Sequence, residues 1–430
     1  MHRGRRALVG VLAVAAALAL AGPAAAQEEQ PQTSVRGRLS AVIDNERQGV
    51  AGVEIVAEQN GREVGSATTD DDGEWEVGLP GGGTYQLTLV TATLPDDVDL
   101  TDPDGETVEI TVATGQRAGR AFPLGEEDDA AGSGMWGRAL NLAVEGLKLG
   151  AVIAITAVGL SLIFGVTGLV NFAHGELVTL GAVVAWYLNA AGGGPGLHLV
   201  AAAAVAVVAG GMMGFGLERA LFRPLRRRGT GLIALIVISI GLSLVLRHIY
   251  LVLFGGGAAP YVDYAVQRAV SVGPIALPPK DYAIIAISLA VLVLVGLLLQ
   301  RTQLGTAMRA VSDDRDLAEA SGIDVHRVIL ATWVGGAALA ALGGVLQGLT
   351  ERVSWDMGFT LLLLMFAAVI LGGLGTGFGA MVGGIVIGLV TQMSTLWVSV
   401  EFKSVVALAV LIGVLLLRPQ GILGQPERVG

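Results

Sequence analysis

Apolar and polar residues follow two different rhythms along the chain. From Ser34 to about Leu124 they alternate over short stretches broken by turn residues: "SVRGRLSA", "AGVEIVAEQ", "VGSATT", "GEWEVGLP", "TYQLTLVT" and "TVEITVAT". Val53, Ile55 and Ala57, then Trp75, Val77 and Leu79, fall at period two, which turns one side-chain face inward and predicts a small all-β sandwich. Beyond residue 138 the apolar residues run on without alternation. Such runs cover 139–164, 172–190, 198–217, 231–254, 282–300, 327–348, 358–375, 377–396 and 402–417, each near the ~20 residues a bilayer requires. The expected fold is therefore a polytopic α-helical membrane protein of about nine spans, eight at the lower bound, preceded by the β domain at 34–124.

Composition agrees with that class. Of the 430 residues 53% are apolar, 63 are glycine and 15% are charged, too greasy for an ordinary soluble chain. No cysteine is present, which removes disulfides and thiolate metal sites. Charge divides the chain at the same place as the rhythm: residues 27–134 hold 23 acidic against 6 basic residues, and the rest from Met135 holds 18 basic against 14 acidic.

At the start, Arg3, Arg5 and Arg6 precede an apolar core from Ala7 to Ala21 and the small-residue site "PAAAQ". This three-part pattern predicts a secretory signal over 1–26, with an uncleaved anchor as the alternative, so the β domain is expected outside the cell. Residues 125–137, "GEEDDAAGSGMWG", read as a flexible linker. If the first span starts outside, the third ends inside at Arg219, Arg223, Arg226, Arg227 and Arg228, and the fifth ends inside at the loop from Arg301 to Arg327. Both placements obey the positive-inside rule, and nine spans leave the C-terminus cytoplasmic beside Arg418.

Three stretches carry candidate function. In "GVTGLVNFAHGE", Asn171, His174 and Glu176 interrupt an apolar run, and intramembrane polar groups mark solute paths or helix breaks. Asn171 can cap a helix beginning near Phe172, while Gly165, Gly168 and Gly175 permit a broken, closely packed backbone. His174 and Glu176 can pair with each other, pair with another helix, or line a path. Alternatively, all three polar groups only hold a kink. In "LGGLGTGFGAMVGGIVIG", Gly372, Gly373, Gly375, Gly379, Gly383 and Gly384 are expected on one helical face, packed against another helix. The polar loop after Arg301 reads as helix, glycine break and next span, with Gly322 at the turn. In the β domain, Asp70, Asp71 and Asp72 before Gly73 read as a hairpin turn rather than a calcium loop, because the bidentate glutamate at EF-hand spacing is missing. No G-x-x-x-x-G-K-[ST] stretch surrounds Lys148, Lys280 or Lys403, so any nucleotide-derived energy must come from a partner.

The order of "GVTGLVNFAHGE", "ERALFRPLR", "LIALIVISIGLSLVL", "GTAMRAVSDDRDLAEASGIDVHRV", "AAVILGGLGTGFGAMVGGIVIG" and "LLLRPQGILG" resembles the permeases of the branched-chain amino acid ABC uptake family, over 138–424. The resemblance makes Arg309, Ala310, Asp314, Ala318, Glu319, Ala320, Ser321, Gly322 and Ile323 an ATPase-coupling loop. It implies a multi-pass permease of the bacterial plasma membrane that is not itself an enzyme. Expected partners are two ABC ATPase subunits carrying ATP and Mg, a second related permease or a second copy of the chain, and an external solute-binding protein. No cofactor is expected in this chain. Urea and amide permeases are similar enough to stand as alternatives, and an ion-coupled carrier titrating His174 and Glu176 is the rival class. The stretch "SATTDDDGEWEVGLPGGGTYQLTLV" is similar to carboxypeptidase regulatory-like, or transthyretin-like, domains.

Overall fold

A computed structural model describes residues 33–423, apart from 44–45, 60, 96–97, 99–105, 113–116, 120–121, 123–134, 190–193, 265–266, 268, 274 and 419. The expected signal sequence and most of the expected linker lie outside the described residues. The chain divides into two compact units, residues 15–134 and a unit built from residue 135 onward.

The first unit holds nine described strands. β1 (Thr33–Arg38) lies between β6 (Glu74–Leu79) and β9 (Arg117–Gly119), antiparallel to the former and parallel to the latter. β4 (Glu54–Gln59), β5 (Arg62–Thr68), β7 (Gly83–Leu89) and β8 (Thr107–Val112) form an antiparallel sheet in the order β5-β4-β7-β8. β2 (Ser40–Ile43) and β3 (Glu46–Gly49) make a separate hairpin. The two larger sheets contribute to one buried cluster: Val35, Trp75 and Val77 from one, and Ile55, Ala57 and Leu87 from the other.

Among the aspartates, the Asp70 carboxylate accepts from the amides of Asp72 and Glu74 at 3.0 and 2.8 Å, and Gly73 adopts φ +75°. Asp70 thus closes a turn through its own backbone neighbours. Its neighbour Thr69 is buried, accepts from Val53 N at 2.9 Å and donates to Val50 O at 2.7 Å. Thr69→Val keeps the shape and removes both bonds, so a loss of about 2 kcal/mol is expected. Urea-dependent protease cleavage within this unit measures it.

The second unit is helical. α1 (Met135–Thr167) is apolar nearly all round from Leu149 onward and buried through most of that length, as a central helix must be. After it come α2 (His174–Leu188), α3 (Leu199–Gly216), a π-helical segment Leu217–Phe222 and α4 (Arg223–Arg227), then α5 (Leu232–Phe254). The outer loop carries the hairpin β10 (Val270–Val272) and β11 (Ile275–Leu277), followed by α6 (Pro279–Arg301). Two short helices, α7 (Gln303–Asp313) and α8 (Arg315–Ala320), precede α9 (Val325–Thr350), α10 (Met357–Gly372), α11 (Gly377–Met393) and α12 (Lys403–Leu417).

Among the described residues, six helical segments are long and apolar enough to cross a membrane: α1, Leu199–Arg227, α5, α6, α9 and Gly377–Leu396. The other three expected runs fold as α2, α10 and α12, of 15, 16 and 15 residues. At 1.5 Å per residue these reach only about 22–24 Å, short of a ~30 Å hydrocarbon core. Helix boundaries also differ from the apolar runs. Met135, Trp136 and Gly137, expected in the linker, already belong to α1.

Candidate functional site

The polar island builds a helix break from its first residue. α1 ends at Thr167, and Gly168 takes φ +68°, which turns the chain back on itself. Asn171 does not cap a helix starting at Phe172. Its carboxamide oxygen accepts from Ala173 N at 3.1 Å, and its carbonyl accepts from His174 N at 3.2 Å, so the helix starts two residues later, at His174. Phe172 N donates to Ser239 Oγ at 3.2 Å, and the Phe172 ring packs on Phe366 with centroids 5.1 Å apart. His174 Nε2 lies 3.1 Å from the Thr156 carbonyl; since a carbonyl only accepts, Nε2 carries the proton. Thr156 precedes the end of α1 by roughly eleven residues, or about 16 Å of helix. The chain therefore climbs back alongside α1 before α2 begins.

His174 and Glu176 do not pair with each other. Glu176 is fully buried, and its Oε1 accepts from Ser243 Oγ at 2.9 Å and from Arg247 Nε and Nη2 at 3.2 Å each, all on α5. Tyr250 OH donates to the Glu176 carbonyl at 3.0 Å. The Arg247 guanidinium also lies 3.6 Å above the ring centre of Phe359, on α10, a cation–π arrangement.

Beside this cluster two helix N-termini meet. A Cβ on Gly175 would lie 2.6 Å from the Gly358 carbonyl oxygen, and Gly358 N donates to Thr179 Oγ1 at 3.1 Å. The amides here are taken up locally: Met357, Phe359 and Thr360 N of α10 donate to the Ser354 and Asp356 carbonyls, and His174 and Glu176 N of α2 donate to the Asn171 and Ala173 carbonyls.

The glycine-rich stretch is not one helical face. α10 ends at Gly372, Gly373 and Gly375 turn the chain with φ of +110° and +79°, and α11 starts at Gly377. Gly372 and Gly379 face each other across this hairpin, Gly383 abuts the Ala368 carbonyl of α10, and Gly384 abuts Ala154 of α1.

In the loop after Arg301, Arg309 donates to the Leu299 carbonyl, which ties α7 to the end of α6. The Ala310 carbonyl accepts from Asp314 N, and the Asp314 carboxylate accepts from Leu317 N at 2.9 Å, starting α8. Ala318 is buried, whereas Glu319, Ala320 and Ser321 are exposed. Gly322 has φ +85°, Ile323 N returns to the Ala318 carbonyl at 3.1 Å, and Asp324 caps α9. Gly165, Met308, Arg309, Ser312, Gly375 and Phe378 line a cavity of about 350 Å³ that joins all three motif stretches.

Sequence reasoning missed Ser243, Arg247 and Phe359. Arg247 carried a readable signal, a charge within the apolar run 231–254. It also missed two buried ion pairs, Lys148 with Asp281 at 2.8 Å and Arg226 with Glu218 in the π-helical segment.

Residues 142–415 match the family described as "Branched-chain amino acid transport system / permease component". The chain belongs to this family. A similar relative is the high-affinity branched-chain amino acid transport system permease protein LivH of Escherichia coli K12, 37% identical over 66% of this chain and 94% of its own. BraD of Pseudomonas aeruginosa, a permease protein of the same description, is 33% identical over 66% of this chain and 95% of its own. A probable permease protein of Methanocaldococcus jannaschii is 29% identical over 64% and 89%. The family match takes in the helix break, the loop after Arg301 and the glycine hairpin, and leaves the N-terminal β unit outside. The chain is a multi-pass membrane permease component, and its family members are permease subunits rather than enzymes.

Proposed function

We propose that the chain is the membrane-spanning subunit of an ABC importer that moves branched-chain amino acids by alternating access. The observation that carries this reading is the match to curated branched-chain permeases over about nine-tenths of their own length. In this reading an external binding protein delivers the amino acid, two partner ATPases supply ATP and Mg, and a second related permease or a second copy completes the pathway. α8 is the coupling element: it is short, exposed except at Ala318, and bounded by the Asp314 cap and the Gly322 turn. All nine described apolar helices lie within the membrane, with the short α2 and α10 entered from non-helical segments that line protein rather than lipid. The N-terminal unit is an exported transthyretin-like sandwich, and the C-terminus is cytoplasmic.

Uptake of labelled leucine by the co-expressed importer, compared with urea, tests the substrate class. Ala318→Asp places a charge where α8 meets the protein. Uptake is expected to fall about tenfold or more, as for an unpaired buried charge, with loss of co-purified ATPase. A chain that transports leucine alone, without ATP, would overturn the importer reading in favour of an ion-coupled carrier.

A further inference from the structure

The Arg247–Glu176 pair sits beside the N-termini of α2 and α10, where one guanidinium and two carboxylates converge. Glu176 Oε2 is buried and has no hydrogen-bond partner among the described residues, although both available Arg247 bonds and Ser243 crowd onto Oε1. Asp356, which precedes α10, lies close enough to act on Glu176 electrostatically. Glu176 is closed off, and the Arg247 side chain beside it is 12% exposed. Phe359, beneath the guanidinium, is 41% exposed, and Leu363, one turn on, is 53% exposed. Leu244 on α5 is exposed as well. A slightly exposed guanidinium and an exposed apolar track therefore lie together.

We propose that this cluster reads the zwitterionic head group of an α-amino acid, with Arg247 taking the carboxylate and Glu176 taking the ammonium. The assignment rests on the importer reading above and adds to it the residues that recognise the solute. An ion pair is the arrangement that a zwitterion can replace without leaving charge unpaired. The carboxylate draws the guanidinium from Glu176, and the ammonium takes the vacated carboxylate, so two pairs stand where one stood. The planar fork of arginine suits a carboxylate better than a lysine would. The side chain of the amino acid then lies on Phe359 and Leu363, which reward apolar branching and offer no partner to a polar group. Ser243 acts as a positioning residue, holding Glu176 Oε1.

The assembled importer in proteoliposomes, supplied with photo-leucine, tests this directly. Adducts are expected within 240–250 and 356–363 of the native chain and are expected to disappear in Arg247→Gln. Leucine uptake should fall about tenfold or more in Arg247→Gln and in Arg247→Lys. The neutral double variant Glu176→Gln with Arg247→Gln keeps hydrogen bonding between the helices, and its uptake is expected to stay low. A purely structural pair predicts the opposite: near-native uptake in the double variant, or adducts elsewhere that persist in Arg247→Gln, either of which overturns the proposal. A native importer that takes up no leucine would overturn the importer reading itself, whereas uptake unchanged by Arg247→Gln would remove only the head-group site.

Discussion

Gly358→Ala is expected to collapse the junction between α2 and α10. The added Cβ would stand 1.9 Å from the Gly175 carbonyl oxygen and 2.6 Å from Thr179 Oγ1, distances at which something must move. Neither neighbour is the free end of a flexible side chain. The first is helix backbone, and the second is a hydroxyl held in place by Gly358 N itself. Separating the two N-termini would also pull Phe359 from Arg247 and Arg247 from Glu176. Overpacking of this kind costs about 3 kcal/mol where the backbone cannot relax, seen as a lower melting temperature of the detergent-purified chain and as lost uptake. Gly216→Ala supplies the control. It also lies in helix, but nothing stands within 4 Å of its added methyl, so a gain of roughly 0.5–1 kcal/mol is expected. If both variants melt alike, the close N-terminal contact is not a feature of the protein.

The β unit was legible wherever its own pattern carried the information. Val53, Ile55 and Ala57 alternate in sequence and are each fully buried, as are Val77 and, nearly so, Trp75. The β2–β3 hairpin was not legible, because "ERQG" has no apolar alternation to betray a strand. Nor was the parallel pairing of β1 with β9, since partner choice depends on contacts far apart in sequence and local periodicity is silent on them. In the helical unit the apolar runs located every long helix but misplaced the breaks. Residues 168–173 remain mostly greasy while the chain is out of the helix, because the break is made by the backbone of Gly168 and by the Asn171 carboxamide turning onto Ala173. Apolar run length therefore overstated α2. At its far end Asn189 is spent on the loop: it accepts from Val262 N and donates to Asp263 and to the Leu197 carbonyl.

The candidate site was half legible for a related reason. Three polar groups inside an apolar run announce that something must satisfy them, and Asn171, His174 and Glu176 are all buried and all bonded. Sequence cannot say which groups answer them. Glu176 meets Arg247, which lies 71 residues on, and His174 meets a backbone carbonyl that no side-chain pattern reveals. The glycine stretch shows the same limit. Its spacing indicated close packing, but the positive φ values of Gly373 and Gly375 divide it into a hairpin, so its glycines meet different neighbours.

Lys148→Ala is expected to be the most damaging single change outside the cluster. Lys148 Nζ and Asp281 Oδ2 lie 2.8 Å apart with side chains 9% and 8% exposed, joining α1 to the first turn of α6 across 133 residues. Asp281 Oδ1 already has no partner among the described residues, so removing the ammonium leaves the carboxylate with only the α6 N-terminus to favour it. Breaking a buried pair from one side costs about 3–5 kcal/mol. Asp281→Ala should cost less, because a long lysine chain can bend its ammonium toward water while a short, buried carboxylate cannot. Lys148→Met combined with Asp281→Val removes both charges and is expected to recover to within about 1–2 kcal/mol of the native chain. Denaturant-dependent unfolding of the purified protein in detergent gives all four values. The expected order is native, double variant, Asp281→Ala and Lys148→Ala. Equal losses in the single and double variants would mean that shape, not charge, holds α1 against α6. The two interpretations separate because the double variant retains the packing volume and discards only the electrostatics.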